Sequence, residues 1–165
     1  MRRLALIVLL LTSACAARVR VTMTGDQIER ELSKSFPVTR SYSVLSVELS
    51  EPRVVLQPGG DRIGLRLKAT AGVAMLRATG SVTVSGKLRY QQEDSRFFLD
   101  EPEVAGLELP GLPETQQPQL LDTINVVVRA VLPTVPIHKL EEGGAKLFLR
   151  AVRVEDGQVI AELGL

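Results

Sequence analysis

The longest regular pattern in the chain is an alternation of apolar and polar residues with a period of two. From Ile63 to Met75 every second residue is apolar, with small or polar residues between them. Since the side chains of a strand point alternately to its two faces, this pattern predicts a strand with one dry and one wet face. A second run extends from Val82 to Tyr90, and we expect the two strands to pair in the antiparallel direction.

Shorter alternating runs predict further strands of the same sheet. Apolar residues alternate from Tyr42 to Leu49, with a phase slip near Leu45 that predicts a β-bulge. A third long strand begins at Phe97 and continues around Val104 to Leu109, and this continuation is bounded by Pro102 and by Pro110-Gly111-Leu112-Pro113.

The last residues predict a β-hairpin. Asp156-Gly157 is a residue pair that favours a two-residue type I′ turn. Pairing outward from this turn matches apolar residues on one face, and Arg150 opposite Leu163 is the exception. The matched pairs are Val154 with Val159, Val152 with Ala161, and Phe148 with Leu165.

Two segments have apolar residues at helical spacing instead. Thr24 and Gln27 form a capping-box pattern before a short amphipathic helix, which Pro37 stops. A longer, strongly apolar helix is predicted after Pro118. Its repeating apolar residues are Leu120, Leu121, Ile124, Val127, Val128 and Val131. Together the elements predict an α+β domain with a long, bent, mainly antiparallel sheet.

The first residues have the arrangement of a secretory signal peptide. Arg2 and Arg3 precede an unbroken apolar run from Leu4 to Leu11, and small residues follow it. The run is far shorter than the roughly 20 residues of a membrane-spanning helix. We therefore predict a signal peptide over residues 1–14 and a single domain over residues 15–165.

Cys15, the one cysteine, stands directly after these small residues. The segment resembles the lipobox of bacterial lipoproteins, which are cleaved just before a cysteine that is then acylated. Thr12 occupies the position where the lipobox usually has leucine, and Leu11 lies one residue earlier. The alternative is ordinary cleavage after Ala16, because Ala14-Cys15-Ala16 also fits the small-x-small rule.

The composition argues against several kinds of site. The net charge is +1, so nucleic acid is not an expected partner. With Cys15 acylated, no thiol remains for a disulfide, a thiolate metal site or a nucleophile. His138 is the only histidine and has no matched nucleophile motif, so we interpret it as structural instead of as a general base. We expect no catalytic residues, no metal and no cofactor.

The apolar faces of the sheet and of the longer helix allow two interpretations. In the first, they form only the hydrophobic core. In the second, a curved sheet and the helix leave a groove for acyl chains, because Ala69, Ala71 and Gly72 are small where a filled core favours bulk. A bend in the strand also accounts for these small residues, so the pattern leaves both interpretations open.

Four segments carry a family resemblance. They are "FPVTRSYSVLSVELSEPRVVLQPGGDRIGLRL" (36–67), "GKLRY" with "FFLDEPEV" (86–104), "LPGLP" (109–113) and "VEDGQVIAELGL" (154–165). In this order, and over nearly the whole mature chain, they resemble the YceB-like lipoproteins, a bacterial family of unassigned function.

The resemblance implies a fold similar to the tubular lipid-binding proteins, in which a curved antiparallel sheet wraps a long helix around an apolar channel. The helix from Leu120 to Val131 is then the wrapped one, and the alternating strand faces line the channel. The lining residues inferred in this way are Ile63, Leu65, Leu67, Val73, Val82, Val84, Leu88, Leu120, Ile124, Val127 and Val131.

These observations give one hypothesis and one alternative. The hypothesis is a non-enzymatic periplasmic lipoprotein, anchored to the membrane through acylated Cys15, that binds a phospholipid or fatty acid. By analogy with enteric lipoproteins, Ala16 after the acylated cysteine implies the outer membrane. The alternative is a structural or accessory envelope lipoprotein that acts through protein–protein contacts.

Overall fold

The computed structural model describes residues 18–42, 45–73, 76–111, 117–141 and 147–165. In this part of the chain, strands form two antiparallel sheets, and two α-helices accompany them. The predicted α+β class and the mainly antiparallel sheet agree with this architecture. The predicted signal peptide and Cys15 lie outside the described residues.

The larger sheet has six strands and curls into a half-barrel. Its strands are β2 (Val38–Tyr42), β3 (Leu45–Val55), β4 (Arg62–Val73), β5 (Leu76–Gln91), β6 (Arg96–Glu108) and β7 (Pro136–Lys139). They lie side by side in chain order. The predicted antiparallel pairing of the two long runs is confirmed, since Leu65 lies opposite Val84 and Leu67 opposite Val82 in β4 and β5.

Among the register shifts of the described strands in this sheet, two are β-bulges at a glutamate that precedes a proline. Glu51 (φ 51°) precedes Pro52 in β3, and Glu101 (φ 45°) precedes Pro102 in β6. The pairing register shifts at both places, because extra residues on one strand have no opposite partner. Pro102 therefore lies within a continuous strand, and the predicted continuation of the strand around Val104 to Leu109 is confirmed as far as Glu108.

The phase slip near Leu45 has a different cause from the predicted bulge. Tyr42 at the end of β2 is paired with Leu45 at the start of β3, and the two strands are antiparallel. The chain thus reverses its direction between them. The alternation changes phase because it belongs to two strands, each with its own dry face.

The smaller sheet has the order β1-β9-β8 and comprises β1 (Arg18–Thr24), β8 (Phe148–Glu155) and β9 (Gln158–Gly164). Asp156 (φ 49°) and Gly157 (φ 71°) both have positive φ, which confirms the type I′ turn between β8 and β9. The predicted pairs next to this turn, Val154 with Val159 and Val152 with Ala161, are also confirmed.

Further from the turn, the predicted hairpin register is wrong by one residue. A register shift lies between Leu149 and Ala151, so Arg150 has no partner in β9. Leu149 instead of Arg150 lies opposite Leu163, and Phe148 lies opposite Gly164 instead of Leu165. The bulge removes a charged side chain from an otherwise apolar face, which explains why the strand adopts it.

Two helices pack on the sheets in the described residues. Helix α1 (Gly25–Ser33) begins with the capping box: the Gln27 N–H donates to Thr24 Oγ1 at 3.3 Å, and the Thr24 N–H donates to Gln27 Oε1 at 2.9 Å. Helix α2 (Gln117–Val131) continues into a 3₁₀ turn. Neither described helix has the length and apolar character needed to span a membrane. The residues that α2 buries are Leu120, Ile124, Val127, Val128 and Val131.

Candidate functional site

The predicted lining residues lie in one place, the core between the curled sheet and α2. All of them except Val73 belong to a single cluster of buried apolar residues, and the side chain of Val73 lies outside the description. Those with 0% exposed surface are Ile63, Leu65, Leu67, Val82, Val84, Ile124 and Val127. A side chain without accessible surface borders no space large enough for a water molecule, so the interior beside these residues is closed.

Helix α2 contacts strands on two sides of the half-barrel. It packs mainly on β6 and also touches β2, and three other strands separate β2 from β6 in the sheet order. The Val104 N–H of β6 donates to Asn125 Oδ1 of α2 at 3.3 Å. The opposite side of the helix faces solvent at Val126, which is 50% exposed. The helix thus covers the apolar face of the curled sheet.

An open cleft lies at the junction of the two sheets, and we call it the seam cleft. Its volume is about 220 Å³. Leu88 of β5, one of the predicted lining residues, lines it together with apolar side chains of β8. The complete lining is Asp61, Lys87, Leu88, Leu149, Arg150, Ala151 and Val152. The seam cleft therefore combines apolar lining residues with two cationic side chains and one carboxylate.

Backbone hydrogen bonds hold the two sheets together beside the seam cleft. The Gly59 N–H donates to the Val154 carbonyl oxygen at 2.9 Å, and the Val154 N–H donates to the Gly60 oxygen at 3.1 Å. The turn before β4 thereby covers the outer edge of β8 at this position. These bonds fix one end of the junction, and the seam cleft lies next to them along β8.

The cations of the seam cleft are positioned by specific contacts. Lys87 Nζ lies 2.8 Å from Glu101 Oε2. The hydrogen bond and the attraction to Glu101 raise the pKa of Lys87 above its usual 10.5, so its charge is permanent at neutral pH. Arg150 projects from the bulge in β8, and its guanidinium carbon lies 5.9 Å from the centre of the Phe148 ring. The same guanidinium donates a hydrogen bond to the carbonyl oxygen of Leu165.

A larger groove of about 690 Å³ lies on the outer side of the curled sheet. It contains the exposed ion pair of Lys68 Nζ and Glu51 Oε1, which are 2.8 Å apart. Its lining residues are Ser33, Phe36, Pro37, Glu48, Ser50, Glu51, Pro52, Lys68, Thr70, Arg77 and Thr79. The cations and carboxylates balance one another, and none of the predicted lining residues is among them.

His138 lies in β7 and is partly buried. The centre of its ring is 6.1 Å from that of Phe97, a fully buried residue. Burial lowers the pKa of His138, although the charges of Glu31 and Glu141 act in the opposite direction. In the part of the chain that the structure describes, no three histidine, aspartate or glutamate side chains are grouped so that they could hold a metal ion.

The sequence prediction included Leu88 but missed the rest of the seam cleft. Leu149, Val152 and Lys87 were placed correctly on strands, but alternation does not indicate which strands of different sheets meet. A signal was available in Arg150, the single misfit on the apolar face of the hairpin. A charged residue at such a position marks either a bulge or a site where charge is needed.

Comparisons with known proteins identify the family of the chain. No curated protein matches it. A solved structure, described as the crystal structure of lipopolysaccharide binding protein, is similar with a TM-score of 0.32 and 13% identity, and the match covers 88% of this chain and 40% of that one. This chain thus spans less than half of that protein. A family model described as protein of unknown function, DUF1439, matches residues 23–158. Since this match covers most of the sequence, the chain belongs to the DUF1439 family.

Proposed function

We propose that this protein binds a lipid without enzymatic activity and that the seam cleft receives the first part of the ligand. The observation that carries the proposal is the composition of the cleft: the apolar residues Leu88, Leu149 and Val152 line it together with Lys87 and Arg150. An acyl chain fits the apolar side chains, and an anionic headgroup fits Arg150, since Lys87 already pairs with Glu101. Burying roughly ten methylene groups contributes about 8 kcal/mol before the costs of ordering the ligand.

A complete lipid needs more space than the seam cleft provides. Its volume of about 220 Å³ is smaller than the ~300–1,000 Å³ of typical ligand pockets. Leu88 connects the cleft to the core, because it is 6% exposed and belongs to the same apolar cluster as Ile124 and Val127. We infer that the ligand enters at Leu88 and separates α2 from the curled sheet that wraps it. The closed interior is then the ligand-free state.

The core is suited to this opening because it contains no polar group that would be left unpaired. No buried polar or charged residue lies among the described residues. The hydrogen bond between Val104 and Asn125 is half-buried and would be exchanged for one with water if α2 moved. The apolar contacts that α2 loses would be replaced by contacts with the ligand.

The envelope location is part of the same proposal. It rests on the arrangement of residues 1–14 and on the resemblance to the YceB-like lipoproteins. Acylation of Cys15 would anchor the chain in the outer membrane with the domain in the periplasm. Several acyl chains make such an anchor stable, because a single chain binds only marginally.

Native mass spectrometry tests the lipid proposal directly. The chain without residues 1–15 is exported behind a separate, cleavable signal peptide and purified from the bacterial periplasm, and we expect phospholipid or fatty acid to remain bound. Val152→Trp should fill the seam cleft and reduce the uptake of a fluorescent fatty acid. Val55→Trp, which adds the same bulk to a side chain that is 36% exposed and outside the cleft, should leave uptake unchanged.

A structural role through protein–protein contacts is the second candidate, and the closed core favours it. If the mass spectrum shows only the bare chain and no fatty acid is taken up, the lipid proposal fails. An accessory lipoprotein with a solid core would then be the better account. Equal uptake by Val152→Trp and Val55→Trp would reject the seam cleft as the entrance, even if lipid were bound.

A further inference from the structure

Exposed apolar side chains gather at one end of the smaller sheet. Val19 is 41% exposed, Phe148 is 53% exposed and Leu165 is 56% exposed. The strand register places them at the same end but on both faces of the sheet: Val19 lies opposite Leu163, whereas Phe148 and Arg18 both lie opposite the next residue, Gly164. Exposed apolar side chains on both faces make the end of the sheet, and not a single face, the part suited to contact another surface.

Arginine residues lie at the same end of the smaller sheet, and Arg18 shares the face of Phe148. Arg18, Arg20 and Arg150 lie on the strands at this end, and Glu162 is the nearby acid, 3.6 Å from Arg20 and 2.6 Å from Arg153. We call the set of Arg18, Val19, Arg20, Phe148, Arg150 and Leu165 the sheet-end patch. It combines apolar side chains with an excess of guanidinium groups, which bind phosphate oxygens in a bidentate manner.

We propose that the sheet-end patch docks on the surface of a bilayer that contains anionic phospholipids. The proposal rests on the acylation of Cys15 put forward above. Only three residue steps separate Cys15 from Arg18, which is a span of at most about 11 Å. An acyl anchor at Cys15 therefore holds this end of the smaller sheet within reach of the headgroups. The arginines bind the lipid phosphates, and the apolar side chains lie at the level of the headgroups.

Docking of the sheet-end patch also determines where the opening of the seam cleft lies relative to the membrane. Arg150 belongs to the sheet-end patch and also lines the seam cleft. A patch in contact with the bilayer therefore brings the opening of the cleft next to the membrane surface. A lipid can then pass between membrane and cleft along the side chain of Arg150, without crossing bulk water. The opposite end of β1, about 17 Å from Val19 by strand geometry, points away from the membrane.

The absence of tryptophan from the chain allows a clean test with a single fluorophore. The full acylated chain carrying Phe148→Trp is reconstituted into vesicles of phosphatidylglycerol and phosphatidylcholine with brominated acyl chains, which quench nearby tryptophan. The matched control is Val55→Trp. Val55 is also an exposed apolar residue, and it follows Val54, which lies next to Gly25 at the far end of β1. We expect quenching about twofold stronger for Phe148→Trp than for Val55→Trp, because interfacial aromatic residues lie at headgroup depth.

The charge contribution is tested in the same vesicles. Adding Arg18→Gln to Phe148→Trp, or omitting phosphatidylglycerol, should weaken the quenching. The proposal is overturned if Phe148→Trp and Val55→Trp are quenched equally. It is also overturned if the quenching of Phe148→Trp is the same with and without phosphatidylglycerol. If Phe148→Trp does not fold, Leu165→Trp replaces it, because that side chain is equally exposed.

Intact mass spectrometry of the same samples separates the possible failures. A chain without acyl groups would overturn both the anchor and the docking of the sheet-end patch. An acylated chain with an unquenched Phe148→Trp reporter would overturn the docking alone. Neither outcome bears on lipid retained in the seam cleft, which native mass spectrometry measures independently.

Discussion

Lys87 and Glu101 form an ion pair of 2.8 Å across a β-bulge in the curled sheet. Lys68 and Glu51 form a second ion pair of the same kind, and their charged atoms are also 2.8 Å apart. In both cases the glutamate has a positive φ and precedes a proline. Both pairs are exposed, so their charges contribute little to stability. The structural effect comes from the bulges, which bend β3 and β6 and thereby help the sheet to curl around its apolar face.

The backbone at Glu51 should prefer glycine to a β-branched residue. Its φ of 51° costs an L-residue about 1–2 kcal/mol, most of all with a branched Cβ. We expect Glu51→Val to be less stable than Glu51→Gly by about that amount in urea unfolding. At the neighbouring Ser50, which has ordinary strand pairing, valine should be the more stable choice. The same order at both positions would contradict the strain at Glu51.

Gly86 should not accept a larger residue. A Cβ at this position would lie 2.6 Å from Leu99 Cγ and 2.8 Å from the Asp100 carbonyl oxygen, and Leu99 is buried. Gly86→Ala should lower the free energy of unfolding by about 1–3 kcal/mol. Gly106→Ala in the same sheet is the control, since its Cβ would be 3.9 Å from the nearest atom, in Thr83. Equal urea midpoints for the two variants would refute the close approach.

The two sides of α2 should respond differently to truncation. Ile124 is fully buried, so Ile124→Ala should cost about 2–5 kcal/mol. Val126 is half-exposed, and Val126→Ala should change stability by less than about 0.5 kcal/mol. Chemical unfolding followed by far-UV circular dichroism measures both. Similar losses for the two variants would mean that α2 does not pack on the curled sheet as described.

His138 should make stability depend on pH in the weakly acidic range. Burial lowers its folded pKa below the ordinary 6.5, so the unfolded chain binds the proton more tightly. The resulting stabilisation is complete above about pH 6.5 and is lost as the pH falls through the folded pKa. The free energy of unfolding should therefore decrease from pH 7.5 to pH 5. In His138→Gln that decrease should be smaller. If the free energy of unfolding depends on pH equally in the variant and the original chain, titration of His138 is not the cause.

Cys15 should be the site of acylation. We expect the full chain to incorporate labelled palmitate. Cys15→Ser should abolish this incorporation, because serine cannot form the thioether on which the later processing steps depend. Labelling of the variant at the level of the original chain would reject the lipobox assignment and favour ordinary cleavage after Ala16. Intact mass spectrometry of the mature protein distinguishes the same two outcomes.

The candidate site shows which part of a lipid-binding surface a sequence can predict. The alternation from Ile63 and Val82 identified residues that share one apolar core, because strand geometry alone determines which side chains share a face. It did not show that five of these side chains, together with Ile124 and Val127 of α2, would be sealed from solvent. Whether a groove stays open depends on how closely α2 approaches the sheet. Many contacts between residues far apart in the chain together determine that distance.

Local chemistry determined the features that involve few residues. The capping box at Thr24 and the type I′ turn at Asp156 follow from side chains and φ preferences within four residues, and both are present. The tertiary structure alone decided the bulge at Arg150 and the meeting of β5 with β8, which create the seam cleft. A bulge disrupts strand pairing and therefore costs free energy. This cost is compensated because the bulge keeps a charge off an apolar face, and that face exists only once the rest of the fold has formed.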